Sequence, residues 1–162
     1  MHALNITKEH AWLQRLVGSW TGEGTAVMGP DQPPQTWAVE ETVRAIGEAW
    51  VQAESVGTMP DGSPSIMQIT LGYDPDRQRF SGTFVGSMMT YLWIYDGELD
   101  ASGRVLTLNA EGPSMAGDGK MAKYQDIVEI LNDDERLLSS RILQPDGATW
   151  ITFMTSRYRR KR

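Results

Sequence analysis

Cysteine is absent from this chain of 162 residues. That absence removes disulfides, thiolate nucleophiles and every zinc site built on sulfur. Histidine is nearly absent too: His2 and His10 both precede the first strand-like segment. No strand histidine is therefore available as a general base or as a haem ligand. Long apolar runs are missing, so no helical membrane span of about 18 or more residues can be drawn. The start, MHALNITKEHAW, lacks the charged region, apolar run and cleavage site of a secretory signal. A soluble cytoplasmic protein is expected, with no membrane partner. Phosphate cradles are also missing, because GEG, GDG and PDG have no following helix and no Gly-Lys-Ser/Thr.

Basic charge is sparse except at one end. There are 15 Lys and Arg against 21 Asp and Glu, a net charge of -6, and five of the basic residues fall in the last six positions, RYRRKR, 157–162. An acidic body repels phosphate backbones, so no nucleic-acid partner is expected and the end reads as a solvated basic terminus.

What is present points to β-structure. Six Trp, five Tyr and 16 Gly suit an aromatic-rich, turn-rich sheet protein. Residues 7–16, TKEHAWLQRL, read as a short helix with Thr7 as N-cap and Gly18 beyond its end. After it, turn signals such as GPDQPP, MPDGSP, DPDR, GDG, NDDE and PDG recur every eight to twelve residues. They mark off about ten strands. In YLWIYDGEL, Tyr91, Trp93 and Tyr95 share one face; in KYQDIVEIL, Tyr124, Val128 and Ile130 do. Short connections without helical crossovers require antiparallel neighbours, and closure removes the exposed edges of a long meander. The expected fold is all-β: one domain over 1–162, an antiparallel up-and-down barrel of about ten strands with a short N-terminal helix.

The stretch LVGSWTGEGT places Trp20, Gly22, Gly24, Ala26 and Met28 on one face, a bulky plug followed by small residues. Such a face leaves room for tight coiling, for a crossing side chain, or for a ligand above Trp20. A Gly-x-Trp step after a short helix, then a meander, then a late arginine resembles the calycin pattern of lipocalins and fatty-acid-binding proteins. Gly18, Trp20 and Arg157 hold the matching places. The resemblance implies that Trp20 closes one end of the barrel and Arg157 packs across it. The segments LVGSWTGEGT, MQITLGYDPDRQRFSGTFVGSMMTYLWIYDGELD, LTLNAEGPSM and PDGATWITFMTSRYRRKR resemble the bacterial domain-of-unknown-function 1579 family. That resemblance implies a calycin-like barrel and carries over no catalytic residue. Nitrobindins also begin with Gly-x-Trp and bind haem through a histidine late in the barrel. Here only Tyr158 or Met154 could ligate iron, so haem is disfavoured and no cofactor is expected.

Chemistry-bearing groups are few. The histidines and the carboxylates Glu40, Glu41 and Glu54 lack metal-ligand spacing, so no metal is expected. Ser87 and Ser114 lack the Gly-x-Ser-x-Gly elbow. Nine Met and several strand tryptophans suit either core packing or an apolar pocket. The leading expectation is a binding module for a small, partly apolar or anionic ligand, with Glu41, Met67, Ser87, Met88, Trp93, Tyr124 and Arg141 as cavity candidates. Arg141, if it faces inward, pairs with Glu41 or receives an anionic head group; if it faces outward it has neither role. A second expectation is isomerase or lyase chemistry by a buried carboxylate, Glu41 or Asp126, with Arg141 beside it. The third is a solid barrel whose exposed Met and aromatic residues form a homodimer surface.

Overall fold

Alternating apolar residues and short turns fold the chain, in this computed structural model, into a closed ten-stranded antiparallel barrel. The structure describes residues 3–162 except 28, 30 and 60; His2 and Met28 lie outside the described residues. One helix, α1 (Lys8–Gln14), precedes the strands β1 (Gly18–Ala26), β2 (Gln35–Ile46), β3 (Trp50–Thr58), β4 (Pro64–Asp74) and β5 (Arg79–Gly86). Strands β6 (Trp93–Leu99), β7 (Val105–Pro113), β8 (Met121–Asn132), β9 (Glu135–Leu143) and β10 (Trp150–Arg160) complete the wall. Each strand pairs with its sequence neighbour, and β1 closes the ring on β10 with Trp20 opposite Arg160. The expected meander is the observed one.

The two ends of the barrel differ. Connections 47–49, 75–78, 100–104 and 133–134 run two to five residues, whereas those at the other end, 27–34, 59–63, 87–92, 114–120 and 144–149, run five to eight. The short-turn end is sealed. There α1 packs on β3 and β4, and Trp12 and Leu13 join Leu16, Trp20, Val43, Val51, Leu71, Phe80, Leu106 and Ile130 in the core. The Trp20 indole donates to Leu16 O at 2.9 Å, and the Trp12 indole donates to Gly103 O at 2.7 Å, which fastens the helix across the opening. His10 joins the same plug: its Nδ1 accepts from Thr7 N–H at 2.9 Å, so its Nε2 carries the proton donated to Tyr73 O at 2.9 Å.

The glycines of β1 admit crossing side chains. A Cβ on Gly22 would strike the Tyr158 ring and one on Gly24 the Trp37 ring. Gly112 lies in the same way under Trp93. Small residues thus let the barrel hold large aromatics across neighbouring strands.

The basic end departs from expectation. Residues up to Arg160 form β10, so the run 157–162 is mostly barrel wall rather than a solvated tail. Lys161 pairs with Glu40 and Arg162 with Asp134. Acidic partners on β2 and the β8–β9 turn hold these charges in place.

Candidate functional site

Strand register decides which side chains enter the barrel. Trp20, Glu41, Ser55 and Met67 lie in successive register on β1 to β4, and Leu108, Asp126 and Ser140 do so on β7 to β9. All seven belong to the inward-facing set, because their alternate neighbours Val43, Val51, Leu71, Leu106 and Val128 form the core.

Near the sealed end the interior holds an ion pair. Glu41, 5% exposed, meets Arg136, also 5% exposed, and Ser55 Oγ donates to the other Glu41 oxygen at 2.7 Å. The Arg136 guanidinium lies 4.1 Å from the Tyr158 ring centre and 4.8 Å from that of Trp20. Burial pulls Arg136 down to about 10, opposed by Tyr158 and reinforced by Arg160. It remains a cation at neutral pH, which is what Glu41 requires. Burial raises the Tyr158 phenol, while the Arg136 charge and Ser55 oppose the rise.

A second polar group sits on the opposite wall. Asp126 accepts a hydrogen bond from Ser140 Oγ at 2.5 Å and another from the Tyr95 hydroxyl. Burial raises the Asp126 carboxyl, against the lowering effect of its two donors. Tyr95 is raised well above its ordinary value by burial first and by the Asp126 charge second.

Between these groups several inward residues are only partly buried. Ala53, Asp126 and Leu138 each retain accessible surface although the inward residues two positions before and after them are buried. Ile69, Phe84, Trp93, Met67 and Met154 are likewise inward and partly accessible. Ala53, Ile69, Phe84, Trp93 and Leu138 pack against the core from this side, and Leu138 and Trp37 also border a concavity of the wall. The stretch of interior that they line, called the lumen below, lies between Trp20 and the long connections.

The expected site residues separate into two groups. Glu41, Met67, Trp93 and Tyr124 point inward; the Trp93 and Tyr124 rings meet edge to face at 5.0 Å, and Tyr124 donates its hydroxyl to Pro113 O at 2.6 Å. Ser87 and Met88 do not line the interior. Both are exposed in the β5–β6 connection, where Ser87 Oγ accepts from Ile66 N–H at 2.9 Å because β5 has already ended at Gly86. Arg141 faces out. It lies between the inward residues Ser140 and Ile142, donates to Gln125 at 2.7 Å and stacks 5.1 Å from Trp150. It neither pairs with Glu41 nor stands beside Asp126.

Arg157 is corrected as well. Its exposed side chain pairs with Glu135, and Arg160, three residues on, covers Trp20 with its guanidinium at 4.2 Å. Arg160 donates to Val17 O, Arg15 O and Asp133 O at 2.6, 2.8 and 2.8 Å. An odd offset reverses the face of a strand, which puts 158 and 160 inward and 157 outward. Gly18 permits this closure: its φ of 142° and the Arg160 guanidinium where a Cβ would stand both require glycine.

Reasoning from sequence missed Arg136, Arg160, Tyr95 and Ser140. The available signal was a polar residue on the same alternation as apolar ones, as in Arg136, Leu138, Ser140 and Ile142. Two concavities lie on the outer wall: one of about 910 Å³ bordered by Glu23, Thr36, Glu129, Leu137 and Arg157, and one of about 540 Å³ bordered by Leu92, Ile94, Asn109, Lys123 and Trp150. Among the described residues, no three of His, Cys, Asp and Glu converge as a metal site requires, and no helix is long and apolar enough to cross a membrane.

A family model described as "Protein of unknown function (DUF1579)" matches residues 5–160. No curated protein matches the sequence. Among solved structures, the crystal structure of Rv2717c from M. tuberculosis is similar at 18% identity and a TM-score of 0.68, over 98% of this chain and all of that one. The S-type phycobiliprotein lyase CPES from Guillardia theta is similar at 13% identity and a TM-score of 0.65, over 98% and 94%. The structure of EF1p2_mFAP2b bound to DFHBI is similar at 14% identity and a TM-score of 0.50, over 94% and 98%. At these identities the likeness is one of fold.

Proposed function

This chain belongs to the DUF1579 family, whose description names no activity, and we propose that it is a binding module that holds a small, partly apolar ligand inside its barrel. The observation that carries the reading is the accessible surface of Ala53, Asp126 and Leu138 between buried neighbours on the same inward face. Apolar walls with a few oriented polar groups are the usual composition of small-molecule sites. The wall here is Trp37, Met67, Phe84, Trp93 and Met154, and the adaptable methionines suit an irregular guest. The long connections at one end provide the entrance. That a barrel of similar architecture is bound to DFHBI supports the reading at the level of fold.

Native mass spectrometry tests it. Protein purified without added ligand, compared with the same sample denatured, is expected to show extra mass on the native 18.1 kDa subunit that unfolding releases. The variant Ala53→Phe, which fills the lumen from mid-strand, is expected to lose that mass while keeping its circular dichroism. Extra mass retained by Ala53→Phe would place any ligand elsewhere, on one of the outer concavities.

A further inference from the structure

Among the described residues, the strands bring two carboxylates into the interior, and one of them has a cation. Glu41 is neutralised by Arg136, and Ser55 takes the second carboxylate oxygen, while the buried Arg136 Nε has no hydrogen-bond partner among the described residues. Asp126 has hydroxyl donors alone, Tyr95 and Ser140, and among the described residues no Lys or Arg comes within ion-pair distance of it. A carboxylate offers about four acceptor positions, so two hydroxyls leave others open. Asp126 as a whole residue is partly accessible, and its side chain is on the inward face.

The surroundings favour positive charge. Trp93 and Tyr124 each stand one inward position nearer the entrance than Tyr95 and Asp126, on the same two strands. Their rings meet edge to face at 5.0 Å, and aromatic faces attract cations in a desolvated site. An anionic head group has no such receiver. Arg136 is occupied by Glu41, Arg160 by three backbone carbonyls, and Arg141 is on the outer wall.

We propose that the lumen selects a ligand with a protonated nitrogen on an aromatic or apolar body, and that Asp126 is the group that receives the nitrogen. The inference rests on the binding reading above and gives that site its chemical class. Tyr95 and Ser140 fix the carboxylate orientation and leave its free positions toward the lumen. The raised affinity of Asp126 for a proton is consistent with an enclosed acceptor that lacks a cation.

Three matched probes separate this inference from the reading beneath it: 2-naphthylmethylammonium, neutral 2-naphthylmethanol and anionic 2-naphthoate, titrated calorimetrically at pH 7. Wild-type protein is expected to bind the ammonium about tenfold or more tightly than the alcohol, and the carboxylate most weakly, as a charge-assisted hydrogen bond implies. Asp126→Asn is expected to equalise ammonium and alcohol, and Ala53→Phe to abolish both. Equal binding of all three probes by wild type, lost in Ala53→Phe, overturns the Asp126 inference and leaves the binding reading standing. No binding of any probe, or binding unaffected by Ala53→Phe, overturns both. Asp126→Ser replaces Asp126→Asn if the latter fails to fold, and the wild-type preference needs no variant.

Discussion

Arg160 lies over the Trp20 ring at 4.2 Å, while Arg157, three residues earlier on the same strand, points to solvent and pairs with Glu135. The closure of the barrel therefore rests on a cation-π contact joined to three hydrogen bonds from one guanidinium to backbone carbonyls of Arg15, Val17 and Asp133. Such a fork ties the chain before β1 to the β8–β9 turn and the end of β10. Lysine could not reach all three oxygens at once.

The two arginines should respond differently to truncation. Arg160→Ala is expected to lose about 2 kcal/mol or more in urea unfolding, since it removes charged hydrogen bonds and uncovers Trp20. Arg157→Ala, an exposed ion pair, is expected to stay within about 1 kcal/mol of wild type. Equal losses would contradict the assignment of closure to Arg160.

The buried pair should show strong coupling. Glu41→Gln and Arg136→Met each leave one charge unpaired in the interior, and each is expected to cost about 3–5 kcal/mol. The double variant is expected to recover much of that loss, because no orphaned charge remains. Chemical denaturation of the four proteins in a double-mutant cycle measures the coupling; additive losses would mean that the two side chains do not act as a pair.

Asp126 sets a pH dependence whose sign follows from burial. Its carboxyl is raised in the folded protein, so the stability it contributes is complete below the ordinary aspartate value of about 3.9 and is lost as pH rises through the raised value. Asp126→Asn lacks this titration. The stability of the variant relative to wild type is expected to improve as pH rises from about 4 towards 7, read from thermal unfolding at each pH. A constant difference over that window would show that Asp126 titrates at its ordinary value.

Gly24 tests the crossing of strands by aromatics. A Cβ there runs into the Trp37 ring and Ser156 Oγ, so Gly24→Ala must displace an indole that borders the lumen. A loss of about 1–3 kcal/mol is expected, together with a changed near-ultraviolet circular dichroism spectrum. An unaltered spectrum would place Trp37 away from Gly24.

Composition and spacing were sufficient for the barrel because both are local. The turn signals from GPDQPP to PDG bound the strands, the alternation in YLWIYDGEL and KYQDIVEIL sets one face inward, and short connections leave neighbours no arrangement but antiparallel. That alternation groups Trp93 with Tyr95, and Tyr124 with Val128 and Ile130, on shared faces, and the structure turns those faces inward. What only the tertiary structure decided was register across the closure and partnership across the lumen. Arg136 meets Glu41 from β9 to β2, and Asp126 on β8 is reached by Ser140 from the neighbouring β9 and by Tyr95 from β6, beyond β7. An odd offset of three residues moved the closing role from Arg157 to Arg160, and Arg141, next to the inward Ser140, faces out, because strand side chains change face at every step.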